Sequence, residues 1–256
     1  MIGVLRIVQR NALVYRRAWR GSLFLSFLQP TLFLLAMGVG LGALVDAGDS
    51  ALPGGVGFLE FLAPGLLAAT CMQTATFESC YPISGKMNWR RTYEAITATP
   101  MRTVDLVLGE MMWIAMRLSS VAVAFTVVIT AFGVPRSPLV LLAIPAAVLT
   151  GLAFAAPLVA YAATLKGNDN FNVVYRFIIT PLFLFSGVFF PLTRLPEGLR
   201  IAAWFTPLFH GVELTRGLTL GTLDSSTWLA HVAYLAAMVA AGFVAAIWTF
   251  NRRLRA

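Results

Sequence analysis

Charge is scarce in this sequence: Asp, Glu, Lys and Arg make up 12% of its 256 residues, while 59% are hydrophobic. A soluble domain carries about twice that charged share. With a mean hydropathy of +0.80, the chain cannot be an ordinary soluble globular enzyme. Cysteine is nearly missing. Cys71 and Cys80 sit in one apolar run without a C-x-x-C pair or a nearby histidine, which excludes a disulfide framework and a zinc site and reads as two small buried residues. The two histidines, His210 and His231, have no metal-ligand spacing, so no hydrolase or metal constellation emerges. No G-x-x-x-x-G-K-[ST] occurs, and Gly85-Lys86 has neither the upstream glycine nor the following Ser/Thr. The chain makes no standard phosphate-binding loop and carries no cofactor of its own; ATP chemistry, with its magnesium, would have to come from a partner. Repeats and low-complexity tracts are also lacking.

What is present in quantity is long apolar sequence. Crossing the hydrocarbon takes about 20 mostly apolar residues, and six segments qualify: 22–45, 59–82, 104–132, 139–165, 171–192 and 228–250. The first is longer than a signal-peptide core and has no clear cleavage site, so it is expected to stay in the membrane. An even number of spans places both termini on one side. The net charge of +8 is then to be read by location rather than as a nucleic-acid footprint. Arg6, Arg10, Arg16, Arg17 and Arg20 precede span one; Lys86, Arg90, Arg91 and Arg102 follow span two; Lys166 and Arg176 flank the fourth turn; Arg252, Arg253 and Arg255 end the chain. Only Arg136, Arg194, Arg200 and Arg216 fall on the opposite face. By the positive-inside rule both termini are cytoplasmic. Prolines 64, 145, 157 and 181 lie inside apolar runs, where neighbouring helices can satisfy the freed carbonyls.

The fold class expected is an all-α polytopic membrane protein: an amphipathic helix over 1–21 and a single six-helix transmembrane domain over 22–256. Three parts are not simple spans. In 1–20, Met1, Leu5, Val8, Ala12, Tyr15 and Trp19 recur at helical spacing opposite the arginines, a pattern for a helix lying on the inner leaflet and meeting anionic lipids, or for a plain topology anchor. The loop 83–103 carries Trp89, Tyr93, Ile96 and Pro100 at helical spacing beside Arg90, Arg91 and Glu94. It reads as a short, exposed cytoplasmic helix that docks a partner protein, the alternative being an interfacial aromatic belt. The connection 193–227 is too apolar for a flexible linker, with Trp204, Phe205, Pro207 and Phe209 among few charges. It is expected to lie in the outer interface or re-enter, capping a conduit or acting as a passive lid.

Ionisable residues inside spans are costly and mark function or structural pairing. Glu78, Glu110 and Arg117 are the candidates, with Glu78 and Glu110 toward the cytoplasmic ends. An ion-paired structural role and a substrate or coupling role both remain open.

Six spans, an amphipathic N-terminus, a long first cytoplasmic loop and an apolar outer segment together resemble permeases of the ABC-2 exporter family over nearly the whole chain. The family signature is matched by Pro207-Leu208-Phe209-His210 followed by Arg216, with Leu195-Pro196 upstream and Ser186 and Val188 in place; Phe185 stands where a smaller or aliphatic residue is expected. Within the family the sequence is most similar to nodulation lipo-oligosaccharide exporter permeases. That likeness is carried by Ala75-Thr76-Phe77-Glu78, Gly85-Lys86-Met87, Arg91-Thr92-Tyr93-Glu94-Ala95, Gly109-Glu110-Met111 and the run from Thr150 to Ala155. Glu94-Ala95-Ile96 is also similar to an importer coupling loop, but Pro100 occupies the place where that motif has glycine.

The resemblance implies a bacterial inner-membrane permease, homodimeric or paired with a paralogue, bound to two ATPase subunits that push on the loop from Trp89 to Pro100. Arg90, Arg91 and Glu94 would then be docking charges, with Trp89, Tyr93 and Pro100 completing the coupling surface. Apolar faces of spans one, two and five would line a path for an amphiphile such as a lipo-oligosaccharide, glycolipid or lipophilic drug, and Trp204, Phe205, Pro207, His210 and Arg216 would shape its exit. The rival reading is an ion- or proton-driven transporter, or a membrane enzyme acting on lipids. Either needs charge at the midplane, and spans one, four and six have none in their interiors.

Overall fold

A computed structural model describes residues 2–17, 19–42, 55–167, 169–223 and 226–255. The regular elements among them are all helical: α1 (Ile2–Tyr15), α2 (Trp19–Phe33), α3 (Phe58–Ser84), α4 (Thr92–Thr97), α5 (Thr103–Ala131), α6 (Val140–Thr164), α7 (Asp169–Val174), α8 (Thr180–Phe185), α9 (Glu197–Trp204), α10 (Pro207–Leu220) and α11 (Trp228–Arg255). Wide π-type turns extend α2 through Leu34–Leu41, extend α3 through Gly85–Trp89 and join α7 to α8 through Tyr175–Ile179.

Among the described residues, four helices are long and apolar enough to cross a membrane: Phe58–Trp89, Thr103–Ala131, Val140–Thr164 and Trp228–Leu254. They correspond to the expected spans two, three, four and six. The first expected span is represented by α2 and its extension, with the apolar stretch Pro30–Leu41, and its last residues, 43–45, lie outside the described ones. The fifth expected span is corrected at its end. Its helix stops at Phe185 instead of running to Leu192, because the chain turns at Gly187 with φ +83°, and Pro191 follows.

The core is built around α6, which packs against α3, α5, α10 and α11. Most of its buried residues are small, Ala143, Ala147, Gly151, Ala155 and Ala163 among them. Lipid offers no hydrophobic drive for helix association, so close backbone approach and dispersion must hold the bundle, and small residues permit it. Gly242 of α11 shows how close: a Cβ there would lie 2.6 Å from the Pro157 nitrogen. Cys71 and Cys80 are buried and free, as expected of small core residues.

The expected outer connection folds into two helices. Pro196 leads into α9; Thr206 caps α10 by accepting from the Phe209 N–H at 3.4 Å, Pro207 sits in its first turn, and Gly221 at φ +74° ends it. This is start-and-stop chemistry legible in the residues themselves. Helix α10 is buried against α3 and α6, not laid over the bundle as a loose lid. Glu60 in the first turn of α3 accepts from the Gly57 N–H at 3.0 Å and pairs with Arg136 beyond α5, so these ends share one side of the bundle.

Candidate functional site

At the opposite end, α1, the loop 83–103 and the start of α5 come together. Helix α1 lies along α5. Its buried side is Val4, Ile7, Val8 and Asn11, rotated from the stripe read in the sequence; Leu5 and Trp19 of that stripe are exposed, and Met1 lies outside the described residues. Gly109 makes the contact possible, since a Cβ at that position would sit 2.8 Å from the Ile7 Cβ.

Polar groups lock this corner. Lys86 Nζ lies 2.7 and 2.9 Å from the two carboxylate oxygens of Glu110, and Asn11 Nδ2 donates to Oε2 of the same carboxylate at 3.1 Å. Arg117 Nε donates to Glu78 Oε1 at 3.1 Å, and its guanidinium stacks on and donates to Tyr15. Both carboxylates singled out in the sequence are therefore ion-paired. The sequence alone does not pair Glu110 with Lys86 and Asn11, or Arg117 with Tyr15. Asn11 leaves a signal: it is a polar residue at helical spacing from Val4, Ile7 and Val8.

The loop residues separate into two sets. Trp89, Arg90, Arg91, Glu94 and Pro100 are exposed. Tyr93 departs from the expectation of an exposed docking residue: it is 0% exposed, its ring 5.4 Å from Phe250 of α11. Burial, with the Glu110 carboxylate close by, holds its hydroxyl's ionisation well above the ordinary phenol range. The cause of the separation is the turn at Arg91, whose φ of +44° ends the extension of α3 and reverses the chain into α4. More ties hold the loop: Asn88 donates to the Leu165 carbonyl at 3.1 Å and accepts from Arg253 at 3.2 Å. An open cleft of 480 Å³ lies between α1 and α4, lined by Arg6, Ile96, Pro100 and Asp105 among others.

At the far end, Trp204 and Phe205 are exposed whereas Pro207 and His210 are buried. His210 and His231 approach at 2.7 Å between their Nδ1 atoms, with the Tyr234 ring stacked 4.0 Å from His210. The Arg216 guanidinium lies 3.8 Å over the Phe61 ring, donates to the carbonyls of Phe61 at 3.2 Å and Gly187 at 2.8 Å, and pairs with Glu213. Trp204 touches both Phe205 and His210 through its ring, while Arg216 separately stitches α10 to α3 and to the turn after α8. Among the described residues no cluster of three or more His, Cys, Asp or Glu side chains is placed to hold a metal.

The described residues form a bundle, a tethered loop and a cleft. The chain matches the ABC-2 type transporter family over residues 3–220. Nodulation protein J of Rhizobium leguminosarum bv. trifolii is 37% identical over 213 residues, 83% of this chain and 79% of the relative. The protein of the same name from Rhizobium leguminosarum bv. viciae is 32% identical over 250 residues, covering 98% and 94%, and that of Bradyrhizobium diazoefficiens is 32% identical over 246 residues, covering 96% and 92%. With its apolar spans and this match over most of its length, the chain is a multi-pass membrane protein of the ABC-2 type transporter family.

Proposed function

We propose that this chain is the permease subunit of an ATP-driven exporter that moves an amphiphile such as a lipo-oligosaccharide, a glycolipid or a lipophilic drug out of the cell. It sits in the bacterial inner membrane with six spans and both termini cytoplasmic, beside a second copy or a paralogue and a pair of ATPase subunits that bind ATP and magnesium. Family membership supports the transporter role, and the resemblance carried by the sequence to nodulation lipo-oligosaccharide exporter permeases favours a lipo-oligosaccharide.

The observation that carries the coupling half of this reading is the build of the loop 83–103. Its outer side offers Arg90, Arg91, Glu94 and Pro100 to a partner, next to the cleft against α1, while its inner side is keyed into the bundle through Tyr93 and Asn88. A docking helix that floated free would transmit nothing; one anchored in α6 and α11 passes a push from the ATPase to the spans. Coupling then requires the ATPase to bind the two permease states with different affinity. Against the gradient-driven rival stands the pairing of Glu60, Glu78 and Glu110 with Arg136, Arg117 and Lys86: these three carboxylates are held by cations, and Asp105 lies only in the first turn of α5, at the cleft end.

Inside-out vesicles containing the permease and its ATPase, loaded externally with a lipo-oligosaccharide bearing a fluorescent acyl chain, test this reading. Uptake should require ATP and persist when a protonophore collapses the gradient. Uptake that stops with the gradient while ATP is maintained would favour the rival.

A further inference from the structure

Between α1, the loop end of α3 and α5 lies a second cavity, of 390 Å³, separate from the cleft against α4. We infer that it receives the anionic headgroup of an amphiphile whose tail remains in the inner leaflet, a reading that rests on the orientation proposed above and names the chemistry that enters. Arg10, Glu78, Lys86, Trp89, Arg90 and Trp113 line it.

Its charge does not balance. Lys86 is held by Glu110 and Glu78 by Arg117. Arg10 and Arg90 have no ion-pair partner among the described residues. Arg10 reaches Thr92 Oγ1 through Nη2 at 3.4 Å, but its Nη1 is buried without any acceptor. Two arginines at one cavity that no carboxylate among the described residues neutralises call for an anion.

The walls add a ring preference. Trp89 is 70% exposed and makes no ring contact among the described residues, so a full indole face is open. The axial C–H bonds of a sugar ring, slightly positive, fit the negative face of an indole. The volume lies in the range of ~300–1,000 Å³ usual for small-ligand sites, enough for a small headgroup and not for a whole lipid. Val14, exposed at the rim, offers apolar surface where an acyl chain would leave toward the bilayer. An acidic sugar on a lipid satisfies all of these; an anionic phospholipid satisfies the charge and the apolar rim but brings no sugar ring to the indole face.

The purified full-length permease in phosphatidylcholine nanodiscs, titrated calorimetrically with three probes, distinguishes these sources. Hexyl glucuronide should bind about tenfold or more tighter than hexyl glucoside, the ratio expected for hydrogen bonds to a charged group. Arg10→Gln should remove that advantage and leave glucoside binding unchanged, and Arg90→Gln, at an exposed position, should reduce it without risk to folding. Trp89→Ala should weaken both sugars. If dihexanoylphosphatidylglycerol displaces the glucuronide, bilayer lipid also supplies the anion; if it does not, the seat is reserved for a sugar acid. Equal binding of glucuronide and glucoside, or glucuronide binding unmoved by both arginine variants, overturns the proposal. These titrations need no ATPase, so a failure of the exporter reading in the vesicle assay would be seen separately.

Discussion

Tyr93 of the short helix α4 is wholly buried with its ring 5.4 Å from Phe250 of the last long helix. Trimming it to Ala should cost about 3–5 kcal/mol if the site does not collapse. Under the proposed coupling, Tyr93→Ala should retain ATPase association, through the exposed neighbours, yet lose transport. Tyr93→Phe, which keeps the ring against Phe250, should cost far less than Tyr93→Ala. Denaturant titration of both variants beside a transport assay checks this.

The pair of Lys86 and Glu110 makes a second prediction. Glu110 is 1% exposed and Lys86 14%, so removing one partner strands a buried charge, at about 3–5 kcal/mol. Lys86→Met or Glu110→Leu alone should destabilise strongly, whereas the double replacement should recover much of the loss. The orphaned Asn11 amide keeps the recovery incomplete. A double-mutant cycle measured by unfolding in mixed micelles reads the coupling directly.

Gly109 governs whether α1 lies against α5. With a Cβ placed 2.8 Å from the Ile7 Cβ, Gly109→Leu should lift α1 away at an overpacking cost of about 1–3 kcal/mol. Limited proteolysis should then cut within α1. Adding Ile7→Ala should restore protection in part, since it removes the clashing methyls.

Arg216 makes two carbonyl contacts and a ring contact that a lysine cannot reproduce together. Arg216→Lys should loosen the turn at Gly187 and raise labelling of a cysteine placed at Leu192, while ATPase association at the other end stays at the wild-type level. Unchanged labelling would mean that the turn is held without the guanidinium.

The long apolar helices were legible because span length and hydropathy depend on composition over many residues, which tolerates local error. Loop 83–103 was legible as a special segment for the same reason, through its mixture of aromatic and charged residues. Which of those aromatics faces inward was not: the left-handed turn at Arg91 resets the helical phase, so spacing counted across it put Tyr93 outside. The early end of the fifth span depends on the backbone at Gly187, in a stretch whose hydropathy continues unbroken to Leu192. Glu78, Glu110 and Arg117 stood out as costly charges, but partners separated by 39 residues, as for Arg117 and Glu78, or by 99, as for Asn11 and Glu110, appear only once the helices are packed. His210 and Arg216 came from the family likeness, and the structure adds the contacts that each makes.

The central claim, that an ATPase docks on the exposed side of the tethered loop, is tested most directly by co-purification. The tagged chain and its Glu94→Arg variant should be isolated side by side in mild detergent and their partners identified and quantified by mass spectrometry. The account predicts a P-loop ATPase in equal stoichiometry with the native chain and its loss from the variant, with the variant still inserted in the membrane. An ATPase retained at full stoichiometry by Glu94→Arg, or absent from the native chain across several mild conditions, would contradict it.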